Sequence, residues 1–129
     1  MSRSFPTIEE VLAIHDDLIA QFGGSPALRD MGALESAVMR PQMGYYDSLV
    51  EEAAALMESL AMNHPFVDGN KRVAFFVTAA FVRLNGHFID CDSRESHDHF
   101  MRLFETNSFR FAELRAWLEG HVKPLPDAP

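Results

Sequence analysis

A single cysteine, Cys91, stands among 129 residues, so no disulfide can form within the chain and a reducing cytoplasm is the expected compartment. No apolar run approaches the roughly 20 residues that a membrane-spanning helix needs. Residues 1–6, Met-Ser-Arg-Ser-Phe-Pro, lack the apolar core of a secretory signal. The expectation is a soluble, intracellular protein that does not engage a membrane. Cations are scarce as well: 11 Lys and Arg face 19 Asp and Glu, for a net charge of −8. That balance opposes a broad footprint on DNA or RNA, which requires a basic face. It leaves room for a small phosphate ligand, which needs only a local group of donors. With 47% hydrophobic residues and eleven Phe, the chain can fill one core, and disorder is excluded.

Repeats and low-complexity tracts are absent, and the apolar spacing is helical almost throughout. Thr7 and Glu10 make a capping box ahead of Ile8, Val11, Leu12, His15, Leu18, Ile19 and Phe22, which share one helix face. Gly23-Gly24 stops that helix. A second helix is expected from about Asp30 to Arg40, ending before Pro41. Residues 42–47, with Gly44, Tyr45 and Tyr46, read as a loop or a short hairpin. Ser48 and Glu51 cap a third helix carrying Val50, Ala53, Ala54, Met57, Leu60 and Ala61, with His64 in phase at its C-terminal edge. Val73, Phe76, Val77, Ala80, Phe81 and Leu84 mark a fourth helix. Its other faces are also apolar, so it is expected to be central and buried. His87 to Cys91 reads as a short extended piece, Asp92 as the cap of a fifth helix, and Ser108 as the cap of a sixth. Pro124, Pro126 and Pro129 mark a tail. The expected fold is all-α: about six helices around a buried central one, with a lead-in at 1–6, the domain at 7–123 and a tail at 124–129.

Between the third and fourth helices lies His64-Pro65-Phe66-Val67-Asp68-Gly69-Asn70-Lys71-Arg72. A helix start offers unpaired N–H groups and the positive end of a dipole, which together attract anions. His64 can act as a general base near neutral pH, or can be a satisfied interior histidine. Asp68 can hold Mg²⁺, a hard cation that shares oxygen ligands with substrate phosphates, or can cap the fourth helix. Gly69 allows a turn and a close phosphate approach. Asn70 can orient a phosphate or cap the helix. Lys71 and Arg72 supply charge for phosphoryl oxygens, Arg72 by a two-point contact. Two cations at the positive pole of a helix need a reason, and a bound anion is one. Base, metal ligand and phosphate cradle are the parts of phosphoryl or nucleotidyl transfer to a hydroxyl.

This segment resembles the signature of the Fic superfamily, and within it the Doc branch. Fic nucleotidyltransferases read H-x-F-x-[DE]-G-N-G-R-x-x-R, whereas Doc proteins read H-x-F-x-[DN]-[AG]-N-K-R, which residues 64–72 match at every fixed position. Phe22-Gly23-Gly24, Leu28-Arg29-Asp30, Leu34-Glu35-Ser36-Ala37, Arg40-Pro41-Gln42 and Leu84-Asn85-Gly86 also resemble Doc landmarks. The resemblance implies His64 as the base toward the target hydroxyl and Asp68 as the Mg²⁺ ligand. It implies Gly69, Asn70, Lys71 and Arg72 as the ATP phosphate site. Lys71 replaces the second Fic glycine, and Phe75 stands where the second Fic arginine would be. In the Doc branch these differences accompany transfer of the γ-phosphate rather than AMP, to a threonine of elongation factor Tu. The resemblance further implies a cognate antitoxin that lays a C-terminal segment in an exposed groove. The nearest match to the inhibitory helix of some Fic proteins, Ser48 to Glu52, is followed by Ala53 and offers no internal brake. The loop at Tyr45 and Tyr46 is either a flap that aligns the target peptide or a pair of rings packed on the core.

Three other readings compete. His15-Asp16 and His97-Asp98 are His-Asp pairs of the kind used by metal-dependent phosphohydrolases, though His15 lies on an apolar stripe and His97 and His99 diverge on a helix. The remaining two are AMP transfer and a non-catalytic interaction module that retains the loop.

Overall fold

Thr7 opens helix α1 (Ile8–Phe22) with a complete capping box: Glu10 N donates to Thr7 Oγ1 at 3.1 Å and Thr7 N donates to Glu10 Oε1 at 3.0 Å. The computed structural model describes residues 3–126. Met1 and Ser2 of the expected lead-in and Asp127, Ala128 and Pro129 of the tail lie outside the described residues. Helix α1 buries Val11, His15 and Leu18, and Gly23 ends it at φ 86°, a left-handed value that glycine adopts freely.

Asp30 caps α2 (Met31–Met39). The α-helix ends before Pro41, as the sequence predicts, and the chain continues through a 3-10 turn, Arg40–Gln42. Proline fits there because the first turn of a helix leaves its amide positions unpaired anyway. Residues 43–47 then form an irregular connection without a strand, so the hairpin alternative fails. Helix α3 (Leu49–Met62) follows, then α4 (Asn70–Leu84), strand β1 (His87–Ile89), α5 (Ser93–Glu105), α6 (Phe111–His121) and strand β2 (Val122–Pro124). The strands pair antiparallel with Phe88 opposite Lys123. Pro124 therefore closes a ladder, and its missing N–H falls at the strand's end.

The six-helix bundle is built on α3 and α4. Helix α3 packs against α4, α6 and α2 and buries nearly every residue from Ala53 to Ala61. Its run of alanines lets neighbours approach closely. Helix α4 buries Val73, Ala74, Val77, Phe81 and Val82, but Phe76 is 44% exposed. The helix that the sequence marks as central and buried is thus flanked by a deeper one, because one side of α4 lines a cavity. Among the described residues no helix is long and apolar enough to cross a membrane.

A polar node joins α2, α3 and α6. Arg40 donates to the Tyr46 hydroxyl (2.9 Å), to Glu58 Oε1 (2.6 Å) and to Ser59 Oγ (2.9 Å). Burial alone would lower the pKa of this guanidinium, but its hydrogen bonds to Glu58 and Tyr46 prevail and raise it. The other Glu58 oxygen accepts Phe111 N at 2.9 Å, so α3 supplies the acidic cap of α6. The sequence had assigned that cap to Ser108. Arg110 is the actual cap position, without a side-chain bond, and Ser108 Oγ turns back to Thr106 O.

Beneath α5 and α6 lies an aromatic floor. Phe104 stacks on Phe109 at 4.1 Å, and Trp117 lies between Phe100 and His121 at 4.8 and 4.1 Å. His99 stacks on Trp117 at 5.5 Å, its Nε2 buried and without a hydrogen-bond partner among the described residues. Burial lowers its pKa, helped by the nearby Arg102 and His121. His97 is instead largely exposed, its Nδ1 3.6 Å from Asp98 Oδ1, so the two histidines diverge as their spacing requires.

Candidate active site

Helix α3 ends at Met62 with Asn63 as its C-cap. His64 does not extend the helix face as its phase predicts. Its backbone swings to φ 50°, which lifts the imidazole off the helix and into the open. Among the described residues none hydrogen-bonds that ring. The satisfied interior histidine is therefore not His64. It is His15, 1% exposed, whose Nε2 lies 2.8 Å from the Asp68 carbonyl and must donate to it. The His15 ring also stacks on Phe66, with centroids 3.7 Å apart and planes within 8°. Phe66 is buried beneath the loop, and His15 and Phe66 form its foundation.

A second support comes from the connection between α1 and α2, which runs antiparallel beside the loop. Leu28 bridges Phe66. Val67 N donates to Ala27 O at 3.1 Å, and the amides of Arg29 and Asp30 both reach Pro65 O, at 2.8 and 3.0 Å. Ser25 N donates to Asp68 Oδ2 at 2.7 Å. Asp68 is thus held by the preceding helix junction and does not cap α4.

Gly69 takes the cap position of α4 at φ 85°, with no side-chain bond. A Cβ there would meet the Ile19 Cδ1 and His15 ring atoms at 3.5 and 3.6 Å, which is ordinary contact, so backbone angle sets the requirement. With the helix uncapped by any side chain, its first amides remain available to an anion. Asn70 fastens the turn: its Oδ1 accepts Phe66 N at 3.0 Å and its Nδ2 donates to Phe66 O at 2.9 Å. The cap role considered for Asn70 is replaced by this local clamp, which leaves one N–H of its amide uncommitted.

His64, Asp68, Gly69, Asn70, Lys71 and Arg72 all line one cavity of about 840 Å³, closed on the far side by α5 with Ser93, His97 and Phe104. That volume lies within the range of small-molecule sites. Lys71 Nζ rests 4.4 Å from the centre of the Phe104 ring and Arg72 Cζ 4.2 Å from that of Phe22. The rings hold the cations at the mouth without neutralising them, unlike carboxylates. Phe75 and Phe76 complete the apolar side.

The structure brings all six sequence-predicted site residues together. It also adds partners that periodicity did not single out: Ser25, the α5 wall, and Gly24, which the sequence marks as a helix stop and part of a family landmark. Gly24 sits at φ 110°, and a Cβ there would come within 3.1 Å of Asp68 Cβ and 3.3 Å of Asp68 Oδ2. Gly24→Ala is expected to displace the Asp68 carboxylate; a shift of the Asp68 side-chain carboxyl NMR signal relative to wild type measures it. Tyr46 turns inward to Arg40 and stands 5.6 Å from the Phe111 ring, whereas Tyr45 is 79% exposed. One ring is therefore structural, and only Tyr45 is free to meet a partner. The two His-Asp pairs do not combine: His15 is engaged under the loop and His97 lies on α5. Among the described residues no group of three or more His, Cys, Asp or Glu is placed to hold a metal ion.

Comparison with known proteins finds relatives of this chain. A toxin Doc of Mycolicibacterium smegmatis is 47% identical over 70 residues, covering 50% of this chain and 54% of that protein. A protein kinase doc of Escherichia phage P1 is 37% identical over 82 residues, covering 60% of this chain and 65% of that protein. The matches thus span less than two thirds of either relative's length. Residues 5–82, from the lead-in through most of α4, match the Fic/DOC family model. With more than half its length matched and the loop at the mouth of the cavity, the chain belongs to the Fic/DOC family.

Proposed function

We propose that this protein is a toxin of a type II toxin–antitoxin pair, a protein Ser/Thr kinase that moves the γ-phosphate of ATP to a threonine hydroxyl. The observation that carries the reading is the pairing, on one cavity, of an unengaged His64 imidazole with the uncapped start of α4 and its two cations. The target hydroxyl gives its proton to His64 as its oxygen bonds to the γ-phosphorus. The bond to the β–γ bridging oxygen breaks, and ADP leaves. Gly69 and the first amides of α4, with Asn70, Lys71 and Arg72, hold the phosphate oxygens.

Asp68 fits a Mg²⁺ ligand: Oδ2 is taken by Ser25, while Oδ1 has no partner among the described residues and the side chain faces the cavity. One carboxylate oxygen plus phosphate oxygens is a usual set for this ion, which would neutralise the phosphate charge. Lys71 and Phe75 favour γ-transfer over AMP transfer. The Phe75 ring, 5.7 Å from Phe100, is apolar where a second phosphate contact would be needed.

The relatives' names, a toxin and a protein kinase, support a cognate antitoxin as partner; elongation factor Tu as target, with translation arrest in the cytoplasm as outcome, rests on the resemblance of residues 64–72 to the Doc signature. Nothing in the reading requires nucleic acid or a membrane. To test it, purified elongation factor Tu is treated with the protein, Mg²⁺ and one nucleotide, re-isolated, and supplied to a translation reaction. ATP and its α,β-methylene analogue should inactivate the factor, and β,γ-imido-ATP should not. The reverse pattern between the analogues would establish AMP transfer instead, and no inactivation by any nucleotide would remove this target.

A further inference from the structure

Three successive carbonyls, of Asn63, His64 and Pro65, mark the point where the chain leaves α3 and turns into the loop. All three are taken by Arg29 and its neighbour. The Arg29 guanidinium donates through Nε to His64 O and through Nη2 to Asn63 O, the latter at 2.9 Å. The amides of Arg29 and Asp30 take Pro65 O. The last carbonyls of a helix are orphans that need donors, and a cation suits the negative end of the dipole.

His64 itself sits at φ 50°, a conformation that β-carbon-bearing residues adopt only when their surroundings hold them there. Its ring has no hydrogen-bond partner among the described residues, so the backbone, and no hydrogen bond of its own, sets the direction from which the imidazole starts. Arg29 grips that backbone from outside: it is exposed and is not among the residues that line the cavity. Its planar fork spans two carbonyls at once, which an ammonium cannot reproduce.

We infer that Arg29 is a positioning residue, which sets the direction of the His64 imidazole without touching substrate. The consequence for turnover rests on the phosphotransfer reading, whereas the placement of His64 can be followed without any turnover. The test uses the full chain and its Arg29→Ala and Arg29→Lys variants, with ¹³C,¹⁵N-labelled histidine. The His64 ring signal is assigned by its loss in His64→Ala. In Arg29→Ala that signal should shift and broaden, while the His15 signal, which reports the buried foundation, stays in place. Where wild type transfers phosphate, kcat should fall on the order of 10- to 100-fold, as expected for a reacting group moved by about 1 Å. KM for ATP should stay within about twofold, and Arg29→Lys should not restore the rate.

An unmoved His64 signal in Arg29→Ala would overturn the inference. So would a joint shift of His15 and His64, or a loss that appears in KM for ATP, since both indicate general loosening of the loop. If wild type transfers no phosphate, the functional reading fails by itself, and the two histidine signals still decide the role of Arg29.

Discussion

Replacing His64 by alanine should slow transfer on the order of 10²- to 10⁴-fold, the usual contribution of a positioned general base. The fold should be nearly unaffected. His64 is exposed and its ring has no hydrogen bond among the described residues, so its loss removes no core contact and changes stability by only about 0.5 kcal/mol. Alanine strains the left-handed backbone as histidine does. His64→Asn sharpens the experiment, because asparagine tolerates that backbone well yet cannot accept the proton. Both variants should retain the wild-type melting transition and lose the rate. A rate within a few fold of wild type in either would exclude the imidazole as the base.

Phe66→Ala should destabilise the protein by about 3–5 kcal/mol, the cost of emptying a well-packed aromatic site. Phe66 is 1% exposed and lies face to face with His15 at 3.7 Å. Its backbone carries both Asn70 amide bonds and the bridge to Leu28. The side chain is therefore the floor on which the loop and the α1–α2 connection both rest. A domain's whole stability is typically about 5–15 kcal/mol, so the denaturation midpoint should fall sharply, with the residual folded protein also impaired in transfer. A loss below about 1 kcal/mol would show that the loop is held from elsewhere.

The parts of this molecule that were legible in its sequence are those governed by neighbours a few residues away. Helical periodicity located α1 to α6, and Thr7 with Glu10 showed in four letters a cap that the structure reproduces. The loop residues were visible because their types are unusual at a helix start. What escaped depends on contacts distant in sequence. Asp68 looked like a cap because Asp usually is one; a backbone amide 43 residues earlier, from Ser25, claims its carboxylate instead. Ser108 looked like the cap of α6, but Glu58, 53 residues before Phe111, reaches that amide. His64 fell in phase with α3 because phase cannot register a reversal of φ. Pro124 read as the start of a tail, yet Val122–Pro124 pairs with His87–Ile89. Arg29 stood out only as part of a family landmark, and its fork on two carbonyls is a fact of geometry.

The central claim is that the group moved from ATP is the terminal phosphoryl. Purified protein, Mg²⁺ and elongation factor Tu are incubated in parallel with ATP labelled at the α- or the γ-phosphate, and the label bound to the factor is counted. The account predicts stable incorporation from the γ-labelled nucleotide and none from the α-labelled one. Incorporation from the α-label would contradict it and assign AMP transfer to this loop.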